Sequence, residues 1–435
     1  MSMVRYLAYS NEFDTKGLVA TTSISLPNET HPEAIELIIR AYGEVVHNLN
    51  KHVHPNATFS PAGDLLKLVR SGPVVYGRQA LNESLSDGAK LLVETLEAGS
   101  DPLFVSIWGG ANTLAQALQF ISTERTPNEA AELRSRLRVY SISDQDDAGP
   151  WIWRIPIIHV GADNGATNVT KVQDDWLTTN IRIRPLGEVY PKIHYGMEGD
   201  SPSFMWLIQN GLNSASRPDW GSWGGRYTRV TEAEDINEYG TSMDTAVSVT
   251  GVDHQSQYAT VWRWRDAYQD DFAARMQWSV TDKFEDATHP PNINVNGSIS
   301  LDAVEIFVPY KAAVVLDARE TYDSDHPEDL THLEIEWYAY NTASIAWASA
   351  YLEGLIEIRP LSPLTGTDGY LEVNNAGFRN VTIGPRVQIV NNVPSFSQLG
   401  GRSWHVVLHV NKNKGQHPVR RYKRILIQDF EGKND

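Results

Sequence analysis

The chain of 435 residues carries 37 Lys and Arg against 54 Asp and Glu, a formal charge of −17 at pH 7. Such an excess of carboxylates disfavours the phosphate backbone of nucleic acids, which is bound through neutralising Lys and Arg. The absence of cysteine excludes a disulfide framework and any Cys-ligated zinc or iron–sulfur centre, and no run reaches the roughly 18 apolar residues of a membrane-spanning helix.

Residues 1–9 read as a helix with Val4, Leu7 and Ala8 on one face, and a strand follows at 17–23. Apolar residues at helical spacing (Ile35, Ile38, Ile39, Tyr42, Val45, Val46) predict a helix over 31–50, with Glu33 and Glu36 suited to its positive end. Further helices are predicted at 62–70 and 85–98. Leu103 to Trp108 is apolar enough for a strand buried on both faces, and it breaks at Gly109-Gly110 before a helix at 113–123. Small molecules bind at the carboxyl ends of strands in an open parallel sheet, and glycines there allow close backbone approach. The same glycines also suit an ordinary strand-to-helix turn. After a helix at 127–136, the strand 137–142 runs into SDQDDAGPW, which sets the acidic cluster Asp144, Asp146 and Asp147 on the sheet edge shared with Gly109. The alternative is a solvated acidic turn.

A strand-like segment at 155–160 ends in a polar loop, and MEGDSPSF then places Glu198 and Asp200 just before a helix pattern. Asp200 or Ser201 suits an N-cap with Pro202 at the first helical position, which leaves Glu198 without a structural role. RPDWGSWGGRY, 217–227, is a Gly/Trp loop in which Trp220 and Trp223 either stack on a sugar or base, or cover the sheet end. Residues 228–257 are polar, lack a strong period and read as a wrapping segment; Asp270 and Asp271 then precede Phe272 as carboxylates do at a helix N-terminus. Pro, Asn and Gly crowd a linker at 285–297, separating a domain at 1–284 from one at 298–435. In the latter, VEIFVPY, AAVVLDA, LEIEWYAY, YLEVNN, RNVTIGP, WHVVLHV and YKRILIQ have the spacing of an all-β sandwich. Between two of them, Asp323, Asp325 and Asp329 either hold a structural Ca²⁺ or form an unoccupied acidic loop. The basic stretch HPVRRYKR is expected to be a protected edge strand.

SNEFDTKGLVATTS, SIWGGANTLAQAL, VYSISDQDDAGPW, MEGDSPSF, WGSWGGRY and WRWRDAYQDDFAARMQW resemble, in this order, the family of cellulose-binding proteins built on a nucleoside-hydrolase-like domain with a C-terminal Ig-like domain. The acidic loop around Asp323 is similar to Ig-like modules of the polycystic-kidney-disease type. The resemblance implies an α/β fold, a Rossmann-like open sheet of the nucleoside-hydrolase type, followed by an all-β Ig-like sandwich. It implies an N-glycoside hydrolase scaffold acting on a small glycoside, or else a non-catalytic binder of cellulose or another polysaccharide. The hydrolases of this fold use Ca²⁺ to hold a water and the sugar hydroxyls, and Ca²⁺ takes six to eight oxygen ligands. By resemblance, the backbone carbonyl of Asn112 is a metal contact, Asp271 is the late metal aspartate, and Glu198 and Asp200 stand near the sugar hydroxyls. Asp270 and Phe272 depart from the family's His-Asp-Pro around that aspartate. The family's opening strand and aspartate turn are expected upstream of Met1, together with the catalytic base, so a longer, secreted form would be the active one. Six N-x-S/T sequons, at Asn28, Asn56, Asn82, Asn168, Asn296 and Asn380, agree with secretion. The oligomeric state stays open.

Overall fold

The computed structural model describes residues 1–148, 163, 166–194, 196–231, 237–329, 331–344, 354–361, 369–393, 403–413 and 415–428. The strand expected at 155–160 lies outside them. The chain forms two compact units, each discontinuous in sequence: Met1–His159 with Leu177–Phe204 and Trp278–Asp282, and Val160–Trp176 with Met205–Gln277 and Lys283–Asp435. Among the described residues no helix is long and apolar enough to cross a membrane.

The first unit is mixed α/β. Leu18–Ala20 (β1) runs parallel to Val69–Ser71 (β2), and Leu103–Ile107 (β3) runs parallel to Leu137–Ser141 (β4). Parallel neighbours need crossover connections, and helices supply them: Pro32–Gly43 between β1 and β2, and Asn112–Glu124 with Pro127–Ser135 between β3 and β4, while Asp87–Ala98 leads from one pair of strands to the other. The helix predicted over 62–70 is cut to Ala62–Leu66, because Val69, Arg70 and Ser71 gain strand partners in β1. Local period yields there to tertiary pairing. Ser86 accepts the Ala89 N–H at one helix start, and Thr126 with Glu129 closes a reciprocal capping box at another. The buried faces of these helices bring Ala89, Val93, Leu96, Ala117, Ile121 and Ala130 together, against Leu103 and Leu137 of the strands.

The second unit is rich in sheet. The segment read as a featureless wrap forms two antiparallel pairs, Tyr227–Arg229 (β5) with Tyr239–Thr241 (β6) and Asp244–Val247 (β7) with Asp253–Ser256 (β8). Beyond it come Val304–Phe307 (β9), Ala313–Asp317 (β10), Leu333–Ala339 (β11), Ile356–Pro360 (β12), Tyr370–Val373 (β13), Arg379–Ile383 (β14), Arg386–Asn391 (β15), Trp404–Lys412 (β16) and Val419–Gln428 (β17). A six-stranded sheet of order β13-β14-β11-β16-β17-β9 faces a three-stranded sheet of order β10-β15-β12. Trp337, Val406, Leu408, Ile425 and Ile427 of the large sheet share one core with Leu316, Ile356, Ile358, Val387 and Ile389 of the small one. Strands β12 and β15 are additions to those expected from the sequence.

One expectation holds and another is corrected in this unit. Strand β17 pairs with β9 only over Ile425–Gln428, so among the described residues HPVRRYKR has a strand, β16, on one side alone and is a protected edge, its Tyr422 N–H donating to the Asn210 carbonyl at 2.9 Å. Its Arg420 and Arg424 are buried and satisfied internally, Arg420 by Asp270 at 2.9 Å and Arg424 by the carbonyls of Leu212 and Gly221. Asp270 and Asp271 lie within the helix Arg265–Trp278 rather than at its start. There they meet basic partners: Asp270 binds Lys171 at 2.7 Å, and Asp271 binds Arg275 and Arg421 at 3.2 Å each.

The strand β7 begins on Asp244, whose fully buried carboxylate collects four partners from distant parts of the unit. Arg226 binds it at 2.7 Å and Arg263 at 2.8 Å, while the hydroxyls of Tyr340 and Thr342 donate to it at 2.5 and 3.1 Å. Burial alone would raise its pKa, but the two guanidiniums and the hydrogen bonds outweigh it and bring the value to about 2. Asp244→Ala strands two buried cations, and is expected to cost about 3–5 kcal/mol in urea denaturation. Because the folded-state pKa is depressed, the stabilisation is complete above the unfolded pKa near 4 and is lost as pH falls toward about 2. Acid titration of the wild type should therefore show a stability loss in that window that Asp244→Asn lacks.

Candidate functional site

The carboxyl ends of β1 and β3 meet where the Gly110 N–H donates to the Thr22 carbonyl at 2.7 Å. A side chain at Gly110 would place its Cβ 2.3 Å from Asp146 Oδ2 and 2.9 Å from that carbonyl, and one at Gly109 would lie 2.6 Å from Thr21 Oγ1. These glycines therefore serve the close passage of the protein's own chain. Asp146 is buried, with Oδ2 accepting the Asn112 N–H and Oδ1 the Ala148 N–H, each at 3.0 Å. It supplies the helix Asn112–Glu124 with the cap that Ala111 cannot provide. Asp147 is exposed and accepts the Arg78 N–H at 2.7 Å, and Asp144 is exposed. The acidic cluster is thus a cap, a loop tie and a surface charge rather than one convergent site.

Asn112 is fully buried; its side-chain amide donates to Thr22 Oγ1 at 2.8 Å and the Val75 carbonyl at 2.9 Å. Its Oδ1 has no hydrogen-bond partner. As the first residue of its helix it turns its backbone carbonyl along the helix axis, toward the amide four residues on. A metal at that carbonyl would share it with this amide, whereas the side-chain oxygen is unengaged.

Glu198 has the role that sequence could not give it. It is 2 % exposed, at φ +49°, and both its oxygens are taken: by Arg5 in a two-pronged pair, by the Tyr190 hydroxyl at 2.6 Å and by Ser201 Oγ at 2.8 Å. Burial would raise its pKa, yet Arg5 and these hydrogen bonds hold it below the usual carboxylate value. Arg5 gave no sequence signal, since the pair spans 193 positions, and Ser201 was legible only as an N-cap candidate. Asp200 is half-buried; burial raises its pKa to about 6, with the Met1 amino group opposing and Glu198 adding to the rise. The helix that follows is one turn, Pro202–Met205. Its Ser203 receives the Trp108 indole N–H at 2.6 Å and donates to the Asp200 carbonyl at 2.6 Å, tying this loop to the end of β3.

In the second unit, Trp223 is 0 % exposed and its indole N–H lies 3.5 Å from the Tyr422 hydroxyl, so it is a core residue and offers no sugar a face. Trp220 is half-buried in the wall of a cleft. Near the large sheet, the Lys412 ammonium occupies the centre of the acidic loop read as a Ca²⁺ candidate. It binds Asp323 at 2.8 Å and also Asp325, while His332 and His289 bind the same two carboxylates at 2.7 Å each. Asp329 is on the periphery, 3.8 Å from His332.

The described residues do not fit a calcium ion. No group of three His, Asp or Glu side chains among them is placed to hold a metal. Asp271 faces two guanidiniums, and Asp323 and Asp325 already hold an ammonium, whereas Ca²⁺ requires several oxygens free of competing cations.

Removing the Glu198 carboxylate takes from the buried Arg5 the anion that meets its charge. Glu198→Ala is expected to cost about 3–5 kcal/mol, with the Arg5→Met/Glu198→Met pair recovering much of it. Urea denaturation of the single and double variants checks this; a single-variant loss under about 1 kcal/mol would remove the pair from its structural role.

The comparisons with known proteins agree with this architecture. A family model described as the nucleoside hydrolase-like domain of cellulose-binding Sde182 matches residues 1–156 and 153–227, and one described as the C-terminal domain of cellulose-binding protein Sde0182 matches 313–429. No curated protein matches the chain. The fold is similar to a solved nucleoside hydrolase-related hypothetical protein from Saccharophagus degradans that is associated with carbohydrate metabolism. The two share 24 % identity at a TM-score of 0.74, over 98 % of this chain and 95 % of that one. With two domain models matched in order on a mixed α/β region and a sheet-rich region, the chain belongs to the Sde182 family of cellulose-binding proteins with a nucleoside hydrolase-like domain.

Proposed function

We propose that this protein binds a cellulose-type polysaccharide and does not cleave it. One observation carries the reading: three of the candidate acids, Glu198, Asp146 and Asp271, are committed to the protein's own donors. Glu198 is held by Arg5, Tyr190 and Ser201, Asp146 caps a helix, and Asp271 pairs with two arginines. Glycoside hydrolysis needs either two carboxyl groups available to the scissile bond or a metal-activated water. The family's cellulose-binding character supports the polymer as ligand. In this reading the two-layered β region is an Ig-like module, and the protein works outside the cell, where an insoluble glucan lies.

A second reading, hydrolysis of an N-glycosyl bond by a Ca²⁺-loaded form, is favoured by Asp200, which titrates near 6, and by the unpartnered Asn112 Oδ1. One preparation separates the two. On microcrystalline cellulose the protein should be retained, with neither reducing sugar nor free base released from cellulose or nucleosides, in calcium or in chelator. Calcium-dependent release of a base would overturn the first reading in favour of the second.

A further inference from the structure

The cleft beside Trp220 has the chemistry of a sugar subsite. Trp220 closes the short turn Pro218–Trp220 and is followed by Gly221 at φ +84°, where a Cβ would lie 2.6 Å from the Tyr340 hydroxyl. The turn is thereby pressed against the large sheet. The guanidinium of Arg217 lies 4.9 Å from the indole centroid and that of Arg424 5.6 Å, and the His405 ring stands edge-on at 5.3 Å. A half-exposed indole held from these directions is fixed before any ligand arrives, which lowers the ordering cost of binding.

The cations around the indole are not available to an anion. Arg217 is paired through both prongs with Asp219, at 2.9 and 2.6 Å. Arg424 donates to the Leu212 and Gly221 carbonyls and to His405 Nδ1 at 2.8 Å. Burial and the neighbouring guanidiniums keep His405 neutral, its pKa well below the ordinary value. The rim offers acceptors instead. Asp302 is exposed, and one of its oxygens takes the Ser300 hydroxyl at 2.8 Å while the other has no hydrogen-bond partner among the described residues. Gln209, also exposed, donates its amide to the Leu207 carbonyl at 3.1 Å, and its oxygen has no hydrogen-bond partner among the described residues. An aromatic wall, neutralised cations and open acceptors together select a ligand that is uncharged, has an apolar ring face and is rich in hydroxyl donors.

We infer that the cleft formed by Trp220, Asp302 and Gln209 binds one pyranose unit of a neutral β-linked glucan, with the ring face against the indole and its hydroxyls donating to Asp302 and Gln209. The inference rests on the polysaccharide-binding reading and assigns it a place. The test is calorimetric titration of the full chain with cellohexaose, and with an oligogalacturonate of equal length, beside retention on cellulose. Asp302→Ala, at an exposed position, should leave the thermal transition unchanged and weaken cellohexaose binding by roughly tenfold or more, the usual effect of losing a hydrogen bond to a charged group. Trp220→Ala should abolish it, and the oligogalacturonate should not bind to the wild type. Unchanged cellohexaose affinity in both variants, or no cellohexaose binding by a wild type that is retained on cellulose, overturns the cleft and leaves the polysaccharide reading standing. Cellohexaose binding that the variants lose, in a protein that cellulose does not retain, supports the cleft and removes the polymer.

Discussion

A carboxylate taken out of water survives in a protein interior only when another group meets its charge, and that constraint organises both units of this chain. Glu198 is met by Arg5, Asp244 by Arg226 and Arg263, Asp270 by Lys171 and Arg420, and Asp323 and Asp325 by Lys412. Desolvation is the largest influence on Glu198, Asp244 and Asp325, and in each it works against the charged form. Nearby cations and donated hydrogen bonds reverse the outcome. Such pairs add little net stability compared with apolar packing of the same volume, but losing one partner is costly, so they fix which segments must meet. Arg226, Arg263 and Tyr340 come from a loop, a helix end and a sheet strand's end, and only one arrangement brings all three to Asp244.

The same constraint bears on chemistry. Open α/β sheets bind ligands at the carboxyl ends of their strands, and in this chain one acid at such an end, Asp146, is engaged internally while Asp144 and Asp147 are exposed. Asp146 shows the constraint most plainly. It stands where a ligand-facing acid is expected, yet its two oxygens cap the helix Asn112–Glu124 and its own loop. Glu198 keeps a strained backbone, at φ +49°, of the kind that often marks a working site. Here the carboxylate so placed meets Arg5, and the geometry serves as a structural joint.

Much of the fold was legible. The helix Asp87–Ala98, the strand and glycine turn at 103–110, the helix Pro127–Ser135 and most of the late strands follow from period and turn chemistry, all of them local signals. The misses have a common physical cause. Val69–Ser71 read as helix because its strand partner, β1, lies some fifty positions earlier. The basic residues of Val419–Gln428 gave no sign of burial, because the carboxylates and carbonyls they meet lie far away in sequence. The site was legible in the same proportion. Glu198 stood out because no cap or turn accounted for it, but nothing in MVRYL marks Arg5 as its partner, and no local pattern separates the core Trp223 from the half-exposed Trp220 three residues away.

The Lys412 cluster carries this logic one step further. An acidic loop between two strands can neutralise itself by binding a dissolved divalent ion or by drawing in a cation from its own chain. Strand β16 does the latter, delivering an ammonium to Asp323 and Asp325 at the end of a strand buried along its whole length. A tethered cation is always present and does not depend on the composition of the surrounding medium, whereas a bound ion contributes only in proportion to its concentration over its dissociation constant. The imidazoles of His289 and His332 take the remaining oxygens of the two carboxylates, so that no oxygen faces the interior without a donor. A cluster closed in this way has no coordination position to offer, and what the acidic loop retains is a covalently built counterpart of a metal-stabilised turn.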